Sequence, residues 1–192
     1  VPWQMIAAER GARLRTIDID ESGQLSLESL DRVLTSRTKL VAVTQMSNAL
    51  GTVTPIREVV RRARAVGACV VVDGAQAISH VPVDVQALDA DFYAFSGHKV
   101  FAPTGIGVLY GRRALLDKLA PDETGGGMVV SVTYEGATWK PAPERFEAGT
   151  PAITEAIGLA AAVDYVEGIG LSAIHAHETA LVAQARDALS QI

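Results

Sequence analysis

Short apolar runs that stop at polar residues recur along this chain, and stretches of helical periodicity separate them. The clearest run is Ala68 to Val72, which has no polar position and stops at Asp73-Gly74-Ala75-Gln76. An unbroken β-branched run of this kind predicts a parallel strand buried on both faces. Lys39 to Thr44 and Asp91 to Phe95 read as two further strands, Gly105 to Tyr110 as a return strand, and Leu14 to Ile19 as a short one. Helices are predicted over Trp3 to Ala12, over Ser26 to Leu34, and from Pro55 to Ala65 with Gly67 closing. In the second of these, Ser26 is the N-cap and Leu27, Leu30 and Leu34 share a face. Shorter helices are expected at Ala75 to Ser79 and Arg113 to Leu119, with Val83 to Leu88 as a connecting segment. Arg57, Arg61, Arg62 and Arg64 read as a solvated helix face. Pro121 to Pro143 is the least regular part and carries a hairpin, Met128 to Thr133 against Ala137 to Lys140. Thr154 to Glu167 and Leu171 to Ile192 read as two long helices separated by Gly168-Ile169-Gly170. Strands alternating with helices predict an α/β fold with a mostly parallel sheet flanked by helices.

Composition narrows the classes of function. With 192 residues and 48% hydrophobic content the chain can bury a real core, and aromatics at only 5% favour a layered α/β protein over a β-sandwich. A net charge of −5 without a basic block argues against a nucleic-acid surface. No apolar run approaches the roughly 18 residues of a membrane span, so no membrane partner is expected. The single cysteine, Cys69, excludes an internal disulfide framework and suits a reducing cytoplasm, the expected location. It lies within an apolar run, where a free cysteine behaves as a small hydrophobe and not as a nucleophile. No metal site is expected: the remaining histidines show no ligand grouping, and His175 and His177, two apart on a helix, face different directions. The start on Val1-Pro2-Trp3 and the end inside a helical pattern lead us to expect a piece of a longer protein.

Three predicted strands end in polar residues that do not suit a plain turn: Asn48, then Asp73 and Gln76, then Ser96, His98 and Lys99. In parallel sheets, ligands bind beyond the carboxyl ends of the strands. Lys99, in Ser96-Gly97-His98-Lys99 ahead of Pro103-Thr104-Gly105-Ile106-Gly107, is a poor place for a solvated charge. It suits an amine kept partly desolvated so that it can form an imine with an aldehyde cofactor, pyridoxal phosphate. Asp73 reads in two ways, as the cap of a helix starting near Gly74 or as the partner of a protonated pyridine nitrogen. Ser96 and His98 offer a hydroxyl and an imidazole to a phosphate. The residues from Asp73 to Lys99 leave room for a helical crossover, which would bring both side chains to one pocket. No Walker lysine motif is present, and Gly105-x-Gly107 lacks the third glycine of a dinucleotide loop.

Val71-Val72-Asp73-Gly74-Ala75-Gln76, Phe95-Ser96-Gly97-His98-Lys99 and Arg145-Phe146-Glu147-Ala148-Gly149-Thr150-Pro151 together resemble the fold-type I, class V enzymes that use pyridoxal phosphate. Within these the chain is most similar to cysteine desulfurases of the SufS type, which include selenocysteine-lyase-like members. The likeness runs over nearly the whole chain and implies the large domain of the aspartate-aminotransferase-like fold. Residues 1–168 would be that domain without its first part, and 169–192 the start of a linker helix toward a small second domain.

The resemblance also implies roles. Lys99 would bind the cofactor as an imine and later move the substrate Cα proton. Asp73 would pair with the pyridinium nitrogen, and Gln76 would hydrogen-bond the ring oxygen. Ser96 and His98 would bind the phosphate, Thr150 would reach the phosphate of the other subunit in a homodimer, and Asn48 would help hold the substrate carboxylate. The Gly125 to Thr138 segment resembles the insertion that marks the SufS-like group. The expected reaction converts L-cysteine to L-alanine and passes sulfur, as a protein persulfide, to an acceptor protein for iron–sulfur cluster assembly. Selenocysteine lyase, aminotransferase and racemase-like activities share the cofactor chemistry, and an inert fragment is a reading of a different class. In the family, a ring-stacking histidine and a phosphate-binding turn lie before the position of Val1. The persulfide cysteine and a carboxylate-binding arginine lie beyond Ile192, so the 192 residues alone are expected to be inactive. Ala102 stands where the family usually has Gly, and a positive φ there would be strained.

Overall fold

The continuous apolar run does become the middle of a sheet. A computed structural model describes all of residues 1–192, and in it Val70 and Val72 are fully buried on strand β2 (Cys69–Asp73). β2 lies between β1 (Leu40–Thr44) and β3 (Phe92–Ser96), parallel to both, and β4 (Gly107–Gly111) forms the far edge in the order β1-β2-β3-β4. β4 runs antiparallel to β3, with Ser96 opposite Gly107. Two of the three pairings are parallel, so the sheet is mostly parallel as expected, with β4 as its one antiparallel strand. The connection over residues 97–106 is too short for the crossover of a dozen or more residues that a parallel partner requires.

Helix α1 (Pro2–Glu9) precedes α2 (Leu27–Val33), which starts as expected: the Ser26 hydroxyl accepts the Ser29 N–H at 3.1 Å. Helix α3 (Ile56–Ala65) carries the chain from β1 to β2 and lays Ile56, Val59, Val60 and Ala63 on the sheet. That is the i, i+3, i+4, i+7 spacing of one helical face. The short α4 (Val85–Leu88), capped by the Asp84 carboxylate on the Gln86 and Ala87 N–H groups, leads to β3. After β4 come α5 (Arg113–Leu116), the antiparallel hairpin β5 (Val129–Val132) and β6 (Ala137–Trp139), and two long helices, α6 (Ile153–Ile169) and α7 (Leu171–Leu189). The long pair bends by 74° at the break, where Gly170 has φ +84°, a value that only glycine adopts without strain. No single helix is long and apolar enough to cross a membrane.

Two expected elements are absent. Leu14 to Ile19 is not a strand, because Ile19 closes only one bridge, to Leu25. The segment is held instead through Asp18, whose N–H donates to Ser29 Oγ at 3.0 Å and whose carboxylate accepts from it at 2.8 Å. Ala75 to Ser79 is a pair of tight turns, in which Ala77 and Ile78 N–H both donate to Gly74 O and His80 and Val81 N–H both donate to Ala77 O. A glycine start and Pro82 just beyond leave too few residues to repay helix nucleation.

The arginines of α3 divide. Arg57 and Arg61 face solvent, but Arg62 folds inward to pair with Glu58 and Asp31 and to donate to Leu27 O at 3.0 Å, tying α3 to α2. Arg61 first and Arg62 second hold the Glu58 carboxyl down at about 2.

Candidate functional site

The parallel register brings three strand ends to one level: Thr44 of β1 stands opposite Asp73 of β2, and Asp73 opposite Ala94 of β3. Just beyond them is a cleft of about 240 Å³ lined by Thr44, Met46, Asn48, Asp73, Ala75, Gln76 and Lys99. Four residues singled out in the sequence thus meet: Asp73 from the end of β2 itself, and Asn48, Gln76 and Lys99 from the segments that follow β1, β2 and β3. Asp73 and Lys99 are among them, as the crossover argument required.

Lys99 reaches the cleft from a single 3₁₀ turn, Gly97–Val100. The turn is close-packed against the entry to β4. A Cβ on Gly97 would fall 2.7 Å from Ile106 Cγ2 and 3.2 Å from the Ile106 carbonyl oxygen. The turn ends at Phe101, with φ +66°. The strain that a positive φ would bring at Ala102 does not arise there, because the left-handed residue is Phe101, one position earlier. Ala102 keeps an ordinary φ and is nearly buried, while Phe101 packs edge-to-face on Tyr165 of α6 at 6.2 Å between ring centroids. Lys99 is exposed, where partial desolvation was expected, and its Nζ makes no hydrogen bond or ion pair within the chain.

Asp73 accepts the Ala75 N–H on Oδ1 at 2.9 Å, so the capping reading holds as a local turn, without a helix. The second carboxylate oxygen makes no hydrogen bond within the chain, and Asp73 lines the cleft. Gln76 and Asn48 make no side-chain hydrogen bond within the chain either. A lone amine, a half-committed carboxylate and two uncommitted amides form a donor set matched to a ligand with an aldehyde, a cationic ring nitrogen and several oxygens. The donor chemistry of the cleft fits pyridoxal phosphate.

The other predicted residues, Ser96, His98 and Thr150, do not line the cleft. Ser96 Oγ and His98 Nδ1 bond each other at 2.8 Å beside the Lys99 turn. Thr150 is exposed in the loop before α6, next to Gly149, whose N–H donates to Gly126 O at 2.9 Å. Cys69 sits at the opposite end of β2, opposite Leu40, with a free thiol. The sequence reading missed Thr44 and Met46. Thr44 ends an apolar run just as Asp73 does, and that parallel was the available signal. Thr44 Oγ1 donates to Met46 O at 3.0 Å, which shapes this wall.

The fold and its strand-end cleft define a class of protein that holds a carbonyl cofactor on a lysine. The family model of aminotransferase class-V matches residues 1–192, and the chain belongs to that family, whose cofactor is pyridoxal phosphate. The chain is 54% identical over 192 residues to a cysteine desulfurase of Synechococcus elongatus, covering 100% of this chain and 31% of that protein. It is 54% identical over 193 residues to a cysteine desulfurase of Dickeya dadantii, covering 47% of it. The crystal structure of the Escherichia coli cysteine desulfurase CsdA superposes with a TM-score of 0.96 at 39% identity, over 100% of this chain and 48% of that one. The chain therefore spans about half, or less, of the length of the proteins it matches.

Proposed function

We propose that the full-length protein is a cysteine desulfurase that releases alanine from L-cysteine and hands the sulfur on as a persulfide. The meeting of Asn48, Asp73, Gln76 and Lys99 in one cleft carries this reading, and the likeness to cysteine desulfurases over the whole chain supports it. Bound pyridoxal phosphate supplies an electrophilic carbon and an electron-withdrawing ring.

The chain supplies the handling. Lys99 holds the cofactor through its amine and moves the substrate Cα proton. Asp73 accepts the hydrogen bond of the protonated ring nitrogen, and Gln76 donates to the ring oxygen. Ser96 and His98 take the phosphate, and Asn48 donates to the substrate carboxylate. Overall, the Cβ–S bond of cysteine breaks, its sulfur joins an acceptor thiol as a persulfide, and the carbon skeleton leaves as alanine.

The finer reading is a SufS-type enzyme working in the cytoplasm as a homodimer, with Thr150 reaching the partner subunit's phosphate. Its sulfur goes to an acceptor protein for iron–sulfur cluster assembly. Residues 1–168 then form the cofactor domain, and α7 begins the link to a second domain. The glycine run and the β5–β6 hairpin support the SufS assignment.

The test is product analysis. Full-length protein given L-cysteine and a thiol reductant should yield alanine and sulfide in equal amounts, and the 192-residue piece alone should yield none. A keto acid in place of alanine, D-cysteine, or turnover of selenocysteine only would each overturn the desulfurase reading. Asp73→Ala should separate the ring-nitrogen partner from the local cap. Asp73 is exposed at the end of β2, and losing one preorganised electrostatic partner of the reacting system should cost roughly 10²–10³-fold in rate. PLP content should fall far less than the rate; equal losses of both would reduce Asp73 to a structural role.

A further inference from the structure

The largest fully buried side chain in the protein is Tyr93, on β3, and the chemistry above makes no use of its hydroxyl. That hydroxyl donates to Gln45 Oε1 at 2.7 Å. Gln45 follows β1, is itself buried, and donates its backbone N–H to the Asp73 carbonyl at 2.8 Å. The Tyr93 ring presses on the residue after Asp73, where a Cβ on Gly74 would lie 2.0 Å from Tyr93 Cζ. The Gly74 N–H in turn donates to Ala94 O, the residue beside Tyr93, at 2.8 Å. One phenol thus reaches the end of β1 through Gln45 and the end of β2 through Gly74, on either side of Asp73.

A buried hydroxyl and a buried amide are an expensive way to fill a core. The same strand accepts Phe92 and Phe95, so its aromatic packing does not call for a hydroxyl. Burial first, and the charge of Asp73 second, push the Tyr93 phenol above its ordinary range. It stays protonated and remains a donor to Gln45.

We propose that Tyr93 and Gln45 are a positioning pair for Asp73, their hydrogen bond tying the end of β1 to the body of β3 across β2 and so fixing where the Asp73 carboxylate stands in the cleft. The pair acts on the cofactor only through Asp73, so the proposal rests on Asp73 being the partner of the ring nitrogen.

The experiment uses full-length protein as wild type, Tyr93→Phe, Gln45→Met and the double variant. Three quantities are measured: the urea midpoint of the cofactor-free protein, the Kd for PLP, and the visible circular dichroism of bound PLP, which reports how firmly the ring is oriented. Each single variant strands one buried polar partner, so it should lower the urea midpoint and weaken PLP about tenfold, with a reduced dichroic band. The double variant leaves neither partner stranded and should regain the urea midpoint, yet keep the weakened Kd and the reduced band. PLP affinity and dichroism that recover together with stability in the double variant would make the pair a core contact and end the proposal. So would a Tyr93→Phe protein that binds PLP as wild type does. Wild-type protein that takes up no PLP would instead overturn the cofactor reading, and this proposal with it.

Discussion

Lys99→Ala in the full-length protein should abolish the borohydride-reducible adduct with PLP and lower turnover by at least about 10³-fold, within the range assigned to a positioned proton-transfer group. Lys99 is exposed on its 3₁₀ turn, and its amine has no partner within the chain. The substitution therefore removes no contact the fold depends on, and thermal stability without cofactor should stay near that of wild type. Lys99→Arg is the sharper control. It keeps a positive charge at the cleft mouth but cannot form the adduct or shuttle a proton, since a guanidinium stays charged throughout the working range. If Lys99 served only to attract an anionic ligand, Arg would preserve much of the activity. The expected result is that Arg fails as Ala does. A reducible adduct that persists in Lys99→Ala would remove Lys99 from the chemistry altogether.

The largest loss of stability is expected at the opposite end of the same strand. Asp91, 7% exposed, immediately precedes β3. One of its oxygens accepts the Val70 N–H at 2.8 Å, inside the sheet. The other faces Arg112 Nε at 3.1 Å and Arg64 Nη2 at 3.5 Å. Both guanidinia also hold Asp89, which sits in the left-handed region at φ +60° at the end of α4. The cluster ties α3, α4, β3 and the end of β4 together. Arg112 Nε is buried and makes no hydrogen bond, so Asp91 is its charge partner by proximity. Asp91→Ala would leave the buried Val70 N–H without its acceptor and the two guanidinia with Asp89 as their only shared carboxylate. Removing one member of a buried charge set costs roughly 3–5 kcal/mol, and the lower end applies because both arginines are about a third exposed. Asp91→Asn keeps an acceptor for Val70 and should lose less. The measurement is the shift in urea midpoint of the full-length protein. PLP affinity should be little changed, since the cleft lies on the order of 15 Å away at 3.3 Å per strand residue. A negligible midpoint shift for Asp91→Ala would mean that the arginines, and not the carboxylate, hold this end of the sheet.

The structure supports the sequence reading most where a local rule had no competitor. The unbroken run to Val72 had to be a covered strand, Ser26 had to cap, and the i, i+3, i+4 face of α3 had to lie on the sheet, because burial and hydrogen-bond demand act within a few residues. Asp73, Gln76, Asn48 and Lys99 were legible for the same reason: each is polar where an apolar strand stops. Leu14 to Ile19 and Ala75 to Ser79 misled. A strand needs a neighbour and a short helix needs more turns than five residues supply, and no local pattern reports either.

Ser96-Gly97-His98-Lys99 shows both sides of this. Sequence by itself was enough to mark Lys99 as an amine at a strand mouth and to join it to Asp73 across a crossover. Its surroundings came from contacts between distant segments: the antiparallel return of β4, the close approach of Gly97 to Ile106, the strain at Phe101 in place of Ala102, and Tyr93 reaching across 48 residues to Gln45. Periodicity reports which face of a residue is buried. Which buried groups meet is decided by packing and register, and those belong to the whole fold.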